Sequence, residues 1–211
     1  MTGAANESNT QTFDGLTITA GNNTISAVSG TGGSMTVNLG AITRTGGLMN
    51  FNLPTNGNIT TSNTSLGGWA TVNGTDYAKV VGGNILAFTD ADYTDKDNAA
   101  NWLDNEYITD VDGFFGTVTG SKQLGGLRYT VDASTTVTVS GGETLGVDGT
   151  IIVAPTVGTA NQTITGGKVT GANGGVLGVQ QNSTGNFTIA SQIVDNGPGM
   201  ASPRRARASS R

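Results

Sequence analysis

The stretch that decides the fold is Thr138-Val-Ser-Gly-Gly142, because it recurs as Thr163-Ile-Thr-Gly-Gly167. Thr188-Ile-Ala190 falls in the same phase, so one constant shift carries position 138 onto 163 and position 163 onto 188. A short fixed period indicates supersecondary units that stack on one another. Three short strands and their turns fill a coil of roughly 20–25 residues, and successive coils stack at about 4.8 Å. The repeat therefore predicts a β-solenoid.

The N-terminal half shows the strand pattern that such a coil needs. In Met35-Thr-Val-Asn-Leu39 the three apolar side chains alternate with polar ones, so they share one face of a strand. Turns rich in glycine and asparagine separate such segments. The predicted strands here are Gln11–Ala20, Asn23–Val28, Ser34–Arg44, Leu48–Leu53 and Asn58–Thr61.

We therefore predict an all-β protein, a right-handed parallel β-helix. Its inward ladder is expected to contain Val139, Ile164 and Ile189, one from each repeat. A propeller blade needs roughly 40–45 residues, which is too long for this period. Gly141–Asp148 does not keep the spacing of a calcium-binding nonapeptide roll. An antiparallel sandwich stays open, because glycine-rich turns also make hairpins.

Composition excludes several function classes. The chain has no cysteine and no histidine, so disulfides and thiolate or imidazole metal sites are excluded. A net charge of -5 and a pI of about 4.5 disfavour nucleic acid as a partner. No apolar run approaches the roughly 20 residues of a membrane span. Met1–Thr10 lacks the features of a signal peptide, so we expect the chain to be part of a longer protein.

The charge distribution divides the chain. We expect a polar N-terminal segment (1–10), one solenoid domain (11–197) and a disordered basic tail (198–211). Within the solenoid, residues 65–126 hold both tryptophans and an acidic cluster, and they are predicted to be inserted or protruding. Eight acids lie between Asp90 and Asp112 with Lys96 as the sole cation, so burial is expected to be unfavourable. Trp69 is expected to be more buried than Trp102.

The acidic cluster is a candidate calcium site. Asp90 and Asp92 form an i, i+2 pair, as do Asp95 and Asp97. On a strand such a pair points both carboxylates to one face, and Ca²⁺ takes six to eight oxygen ligands. The alternative is a solvated loop, and the sequence from Asp90 lacks the glycine of an EF-hand. No cofactor is expected other than Ca²⁺ at this cluster.

The aromatic residues near the cluster are candidate ligand-binding residues. Trp102, Tyr93 and Tyr107 could stack on sugar rings, whereas the alternative is that aromatic residues of this segment pack in the core. β-Helices that degrade polysaccharides need carboxylates beside a lysine or arginine. Nothing in the sequence places a basic residue such as Lys79 or Arg128 beside the aspartates, so no enzymatic activity is expected.

Three stretches resemble large bacterial proteins with autotransporter-associated β-strand repeats. They are Ala41–Phe51 (AITRTGGLMNF), Leu66–Ala78 (LGGWATVNGTDYA) and Ile193–Gly197 (IVDNG). The resemblance covers about residues 11–197 and implies a β-helical passenger displayed outside the cell, with no catalytic residues to carry over. The basic tail departs from the pattern, and the expected C-terminal anchoring barrel is missing from this sequence.

The resemblance leads to an expected function. We expect a structural or adhesive passenger segment, secreted or on the outer-membrane surface as part of a longer protein. The partners are then surface glycans or host-cell molecules. The alternative is a carbohydrate-binding or polysaccharide-degrading module that depends on calcium. Unpaired strands near Ile189, Ile193 and Val194 predict end-to-end self-association.

Overall fold

The chain is a β-solenoid. The computed structural model describes residues 1–114, 116–171 and 176–195, and these contain no α-helix. Parallel strands stack into about eight coils, which confirms the predicted solenoid. In chain order, β1 to β21 are Ser8–Thr12, Leu16–Ile18, Asn22–Ser26, Ser34–Asn38, Ile42–Arg44, Leu48–Asn52, Gly57–Thr60, Ala70–Val72, Asp76–Val81, Asn84–Ala87, Thr94–Asp95, Tyr107–Thr109, Thr117–Val118, Lys122–Leu124, Gly126–Tyr129, Thr135–Val147, Thr150–Val153, Gln162–Gly171, Gly178–Gln181, Phe187–Ile189 and Gln192–Ile193. Three 3₁₀ helices span Asp90–Asp92, Ala99–Asn101 and Pro155–Val157.

The coils form two stacks. In the first stack, β1–β4–β7, β2–β5 and β3–β6–β8 are three rows of parallel strands. The antiparallel strands β9 and β10 end it, because β9 pairs with β8 and β10 pairs with β7. In the second stack, β11–β12–β15–β17–β19 is one parallel sheet, and β13, β14, β16, β18, β20 and β21 form the other.

Each stack has its own apolar core. In β4 the alternation predicted from Met35 to Leu39 is confirmed, because Met35, Val37 and Leu39 are all buried. The coils differ in length. Fewer residues separate Ile108 from its partner Leu127 than separate Thr150 from its partner Gly178. Coil length therefore varies, while inward strand positions stay apolar.

One of the two pairings predicted for the inward ladder is wrong. Ile164 pairs with Ile189, as predicted, but its partner in the preceding coil is Val137 and not Val139. Val139 pairs with Gly166, and Thr144 pairs with Lys168. Positions 140 to 143 therefore lie opposite the single position 167. A bulge at this corner absorbs the extra length, so the matching Gly-Gly pairs of the two repeats are not in register.

Gly166 lies at this corner and gives a testable prediction. Its φ is +79°, and a Cβ added there would lie 2.2 Å from the carbonyl oxygen of Val139. Gly166→Ala should lower the free energy of unfolding by about 1–3 kcal/mol, measured by urea denaturation. Gly142→Ala is the control, because φ is +86° but nothing lies within 4 Å of the added Cβ. Equal losses in the two variants would contradict a role for the close contact.

The two stacks lie side by side and run in opposite directions. The N–H of Thr150 at the start of β17 donates to the carbonyl oxygen of Gly68, before β8 (3.2 Å). The hydroxyl of Thr71 in β8 donates to Oε1 of Gln180 in β19 (3.1 Å). Tyr77 in β9 reaches the backbone of Leu127 in β15. In the first stack β8 lies beside β19 of the second stack, and the next strand, β9, lies beside the earlier strand β15. The order of strands along the two stacks is therefore opposite.

The segment 65–126 is divided between the stacks. Its first strand, β8, continues a row of the first stack, and β12 to β14 belong to sheets of the second. The β9–β10 hairpin and the loops around the first two 3₁₀ helices join them. Much of this segment is therefore part of the coils. The C-terminal tail (198–211) lies outside the described residues.

Candidate functional site: an acidic groove at the junction of the stacks

A groove of about 720 Å³ lies where the β9–β10 hairpin meets the outer face of the second stack. Asp76, Asp90, Asp95 and Asp110 line it together with Arg128. Asp95, Thr109 and Arg128 are neighbours across β11, β12 and β15, because parallel pairing places them in one register column. The groove thus combines four carboxylates with one guanidinium group.

Arg128 is held rigidly inside this groove. Its Nη1 forms an ion pair with Asp76, and its Nε donates to Oγ1 of Thr109 (3.2 Å). Its Cζ lies 3.7 Å from the ring centroid of Tyr93, which is a cation–π contact. Asp90 is a more distant partner at 3.5 Å, and its side chain is fully exposed. The guanidinium group therefore joins β15 to the hairpin and is already occupied by these contacts.

Asp110 is buried at the edge of the groove without a basic partner. Its Oδ1 accepts hydrogen bonds from the N–H (2.7 Å) and the hydroxyl (2.6 Å) of Thr130. Burial nevertheless raises the pKa of Asp110 above its usual value. The expectation that none of these acids is buried without a cation is wrong here, because hydrogen bonds satisfy the carboxylate.

The four aspartates predicted to bind calcium have separate surroundings. Asp92 pairs with Lys79, and Asp97 accepts from the N–H of Val111 (2.8 Å). Asp90 and Asp95 are exposed, while Asp92 and Asp97 are partly exposed. Within the described ranges, no three acidic, histidine or cysteine residues form a group that could hold a metal ion. Calcium binding by Asp90, Asp92, Asp95 and Asp97 stays a prediction.

Thermal unfolding checks the calcium prediction. A cation that binds only the folded chain raises the melting temperature, and the stabilisation grows with the logarithm of 1 + [Ca²⁺]/Kd. We expect calcium to raise the melting temperature of the wild type and not that of the double variant Asp90→Asn/Asp95→Asn. Magnesium at the same concentration controls for ionic strength. An equal shift in both proteins would contradict a site at these residues.

The pKa of Asp92, which is partly exposed, is shifted by its neighbours. The Lys79 ammonium group and hydrogen bonds from Thr89 lower the pKa of Asp92 to about 2. Because this value lies below that of the unfolded chain, the interaction stabilises the fold above about pH 4 and is lost as the pH falls towards 2. In Lys79→Met, the pKa of Asp92 should rise towards its usual value in an NMR titration. An unchanged midpoint would show that Thr89 alone lowers the pKa.

The aromatic residues proposed to stack on sugars are mostly buried. Trp102 is 0% exposed, packs edge-on against Phe114 and donates from Nε1 to the carbonyl oxygen of Lys96 (2.8 Å). Its predicted role in stacking on a ligand is therefore wrong, because no face of the ring is open. Trp69 is partly exposed, so the expected order of burial is also reversed.

Tyr93 and Tyr107 belong to an aromatic cluster between the stacks. The cluster also contains Tyr77 and Phe88, with ring centroids 4.8 to 6.2 Å apart. Burial raises the pKa of Tyr107 to about 12 and raises that of Tyr93 further. Tyr93 is nearly fully buried beneath Arg128, so it offers no platform for a sugar. The cluster fills the space between the two stacks. This role could not be predicted from the sequence, because no repeat includes these residues.

Comparison with known proteins shows that the chain is similar to a curated bacterial protein. Over 165 residues, 76% of the chain, it is 55% identical to the adhesin BmaC autotransporter of Brucella suis biovar 1 (strain 1330). The matched segment is 5% of that adhesin's length. No family model matches the chain. No solved structure matches it either.

The fold and the similarity to this adhesin together define the class of protein. The chain is a β-solenoid with repeats like those of autotransporter passengers, as the resemblance implies. Its similarity is to a segment of a far longer autotransporter adhesin. In the part of the chain that the structure describes, no helix has the length and apolar character needed to cross a lipid bilayer.

Proposed function

We propose that the chain is an adhesive, non-enzymatic segment of a passenger displayed on a bacterial surface as part of a longer protein. The observation that supports this is 55% identity to an autotransporter adhesin over 165 residues. The two-stack solenoid suits the role, because coils stacked on the apolar core of each stack present extended outer faces to a partner. The partners are host-cell or surface molecules.

An adhesion assay tests this proposal. Beads coated with the purified chain are washed over epithelial-cell monolayers and over extracellular-matrix proteins, and retained beads are counted. We expect several-fold more retention than with albumin-coated beads. Retention equal to that of albumin on every surface would contradict the adhesive function.

The rival function is polysaccharide degradation in the acidic groove. Polysaccharide cleavage requires a free acid and base beside the substrate. The Arg128 guanidinium group is already engaged by Asp76, Thr109 and Tyr93, which supports the non-enzymatic proposal. We expect no release of reducing ends from polysaccharides, with or without calcium. Measured turnover that is lost in Asp95→Asn would favour the enzyme instead.

A further inference from the structure

A second cleft, of about 230 Å³, opens between the two stacks and away from the acidic groove. One wall is a column of polar side chains in register across three strands, Thr24 in β3, Asn50 in β6 and Thr71 in β8. The other wall is β19, with Gln180 and the residues beside it. The hydrogen bond between Thr71 and Gln180 joins the two walls. Thr24 is exposed, so the cleft is open beside β3.

The lining is polar but carries no charge. Asparagine, glutamine and threonine side chains dominate the residues that line the cleft in the described part of the chain, with Leu48, Met49 and Val179 as apolar residues. This composition differs from the acidic groove, where four carboxylates meet one guanidinium group. Because uncharged walls would leave a charged group desolvated and unpaired, the cleft disfavours both anionic and cationic ligands.

Several amides of the cleft are fixed in orientation. Oδ1 of Asn50 accepts from the N–H of Gly74 (2.8 Å), and Nδ2 of Asn50 donates to Oδ1 of Asn52 (2.8 Å). Nδ2 of Asn182 donates to the carbonyl oxygen of Gly74. In the described part of the chain, the bond to Gly74 uses Nδ2 of Asn182 and leaves Oδ1 of this amide as an acceptor. Asn22 is exposed at the rim. The cleft therefore presents oriented donors and acceptors on a rigid frame.

We propose that this cleft binds an uncharged sugar residue of a surface glycan. Each sugar hydroxyl both donates and accepts, and so does a side-chain amide, whereas a charged group does only one of these. Val179, which is 39% exposed, supplies apolar surface for the C–H face of a sugar ring. The inference rests on the proposed adhesive function and names the ligand class, but it concerns a site distinct from the acidic groove and from the aromatic cluster.

Binding at a single cleft is expected to be weak. The cleft is smaller than the roughly 300–1,000 Å³ of typical small-molecule pockets, and no aromatic ring is among its described lining residues. Adhesion through this cleft then requires many sugar residues on the glycan and many copies of the chain on the surface, since linked weak sites gain avidity without new contacts. A multivalent probe is therefore needed to detect binding.

The experiment uses the full chain on a sensor surface and three polyacrylamide conjugates carrying galactose, N-acetylglucosamine or glucuronic acid. We expect at least one neutral conjugate to bind and the glucuronic acid conjugate to bind at least roughly tenfold more weakly. Thr24→Trp, which fills the mouth of the cleft, should weaken binding of the neutral conjugate by a similar factor. Asn22→Asp, which adds a charge at the rim, should weaken it without filling the cleft.

Thr10→Trp is the matched control, because Thr10 is also an exposed threonine on an edge strand, β1, but lies outside the cleft. It should bind like the wild type, and thermal unfolding checks that all variants are folded. Equal binding of neutral and acidic conjugates, failure of both neutral conjugates to bind, or wild-type binding by folded Thr24→Trp and Asn22→Asp would each overturn the assignment. If coated beads adhere to cells while no sugar binds, the cleft assignment alone fails.

Discussion

Replacing Tyr77 by phenylalanine is expected to lower the free energy of unfolding by about 2–4 kcal/mol. The ring of Tyr77 is 0% exposed, and its hydroxyl accepts from the N–H of Leu127 (2.8 Å) while it donates to the carbonyl oxygen of Thr150. Phenylalanine keeps the packing but leaves these buried backbone groups without that partner. Urea denaturation followed by circular dichroism measures the loss.

Tyr107→Phe is the control for this prediction. Tyr107 contacts Tyr77 at 4.9 Å between ring centroids and is partly buried in the same cluster. Its hydroxyl does not join the two stacks in the described structure, so its removal should cost less than about 1 kcal/mol. If Tyr107→Phe were as destabilising as Tyr77→Phe, the hydrogen bonds between the stacks would not be the cause.

Trp102→Ala is expected to be the most destabilising substitution, with a loss of about 3–5 kcal/mol. Trp102 belongs to the core of the second stack, where its ring centroid lies 5.3 Å from that of Phe114. Alanine would leave a large cavity and would also remove the partner of the Lys96 carbonyl oxygen. Differential scanning calorimetry and urea denaturation measure the loss.

Trp69→Ala provides the comparison within the same chain. Trp69 packs against the core of the first stack but remains partly exposed, with the Arg44 guanidinium group 5.5 Å from its ring centroid. Its removal should cost less than that of Trp102, because less apolar surface returns to water. The opposite order would restore the expectation drawn from the sequence, in which Trp69 is the more buried tryptophan.

Two patterns in the sequence, the apolar alternation and the recurring segment, predicted the strand features that depend on neighbouring residues in the chain. The alternation in β4 identified its buried face, and the recurrence around Thr163 and Thr188 identified the parallel pairing of these two residues. The acidic cluster was also visible in the sequence, although its members were not assigned to separate roles. Asp92 pairs with Lys79 of the hairpin, whereas Asp97 and Asp110 accept hydrogen bonds from backbone groups within the second stack.

The junction itself could not be predicted, because its partners come from distant repeats. Arg128 and Asp76 are 52 residues apart, and Thr71 and Gln180 are 109 residues apart. No periodic signal connects such pairs, since the antiparallel β9–β10 hairpin interrupts the repeat between them. The sugar cleft is invisible for the same reason, as its two walls belong to different stacks.

The sequence by itself predicted a solenoid of parallel strands, because one short segment recurs at a constant shift while alternating apolar residues and glycine-rich turns act over short stretches of the chain. Only the tertiary structure decided which residues meet. At the corner after Val139, coils of unequal length match through a bulge, which moves Val137 opposite Ile164 without altering the local pattern. The reversal of the chain at β9–β10 then places two stacks side by side. This packing buries Tyr77 and Arg128, because burial depends on which surfaces come together and not on the residues beside them in the sequence.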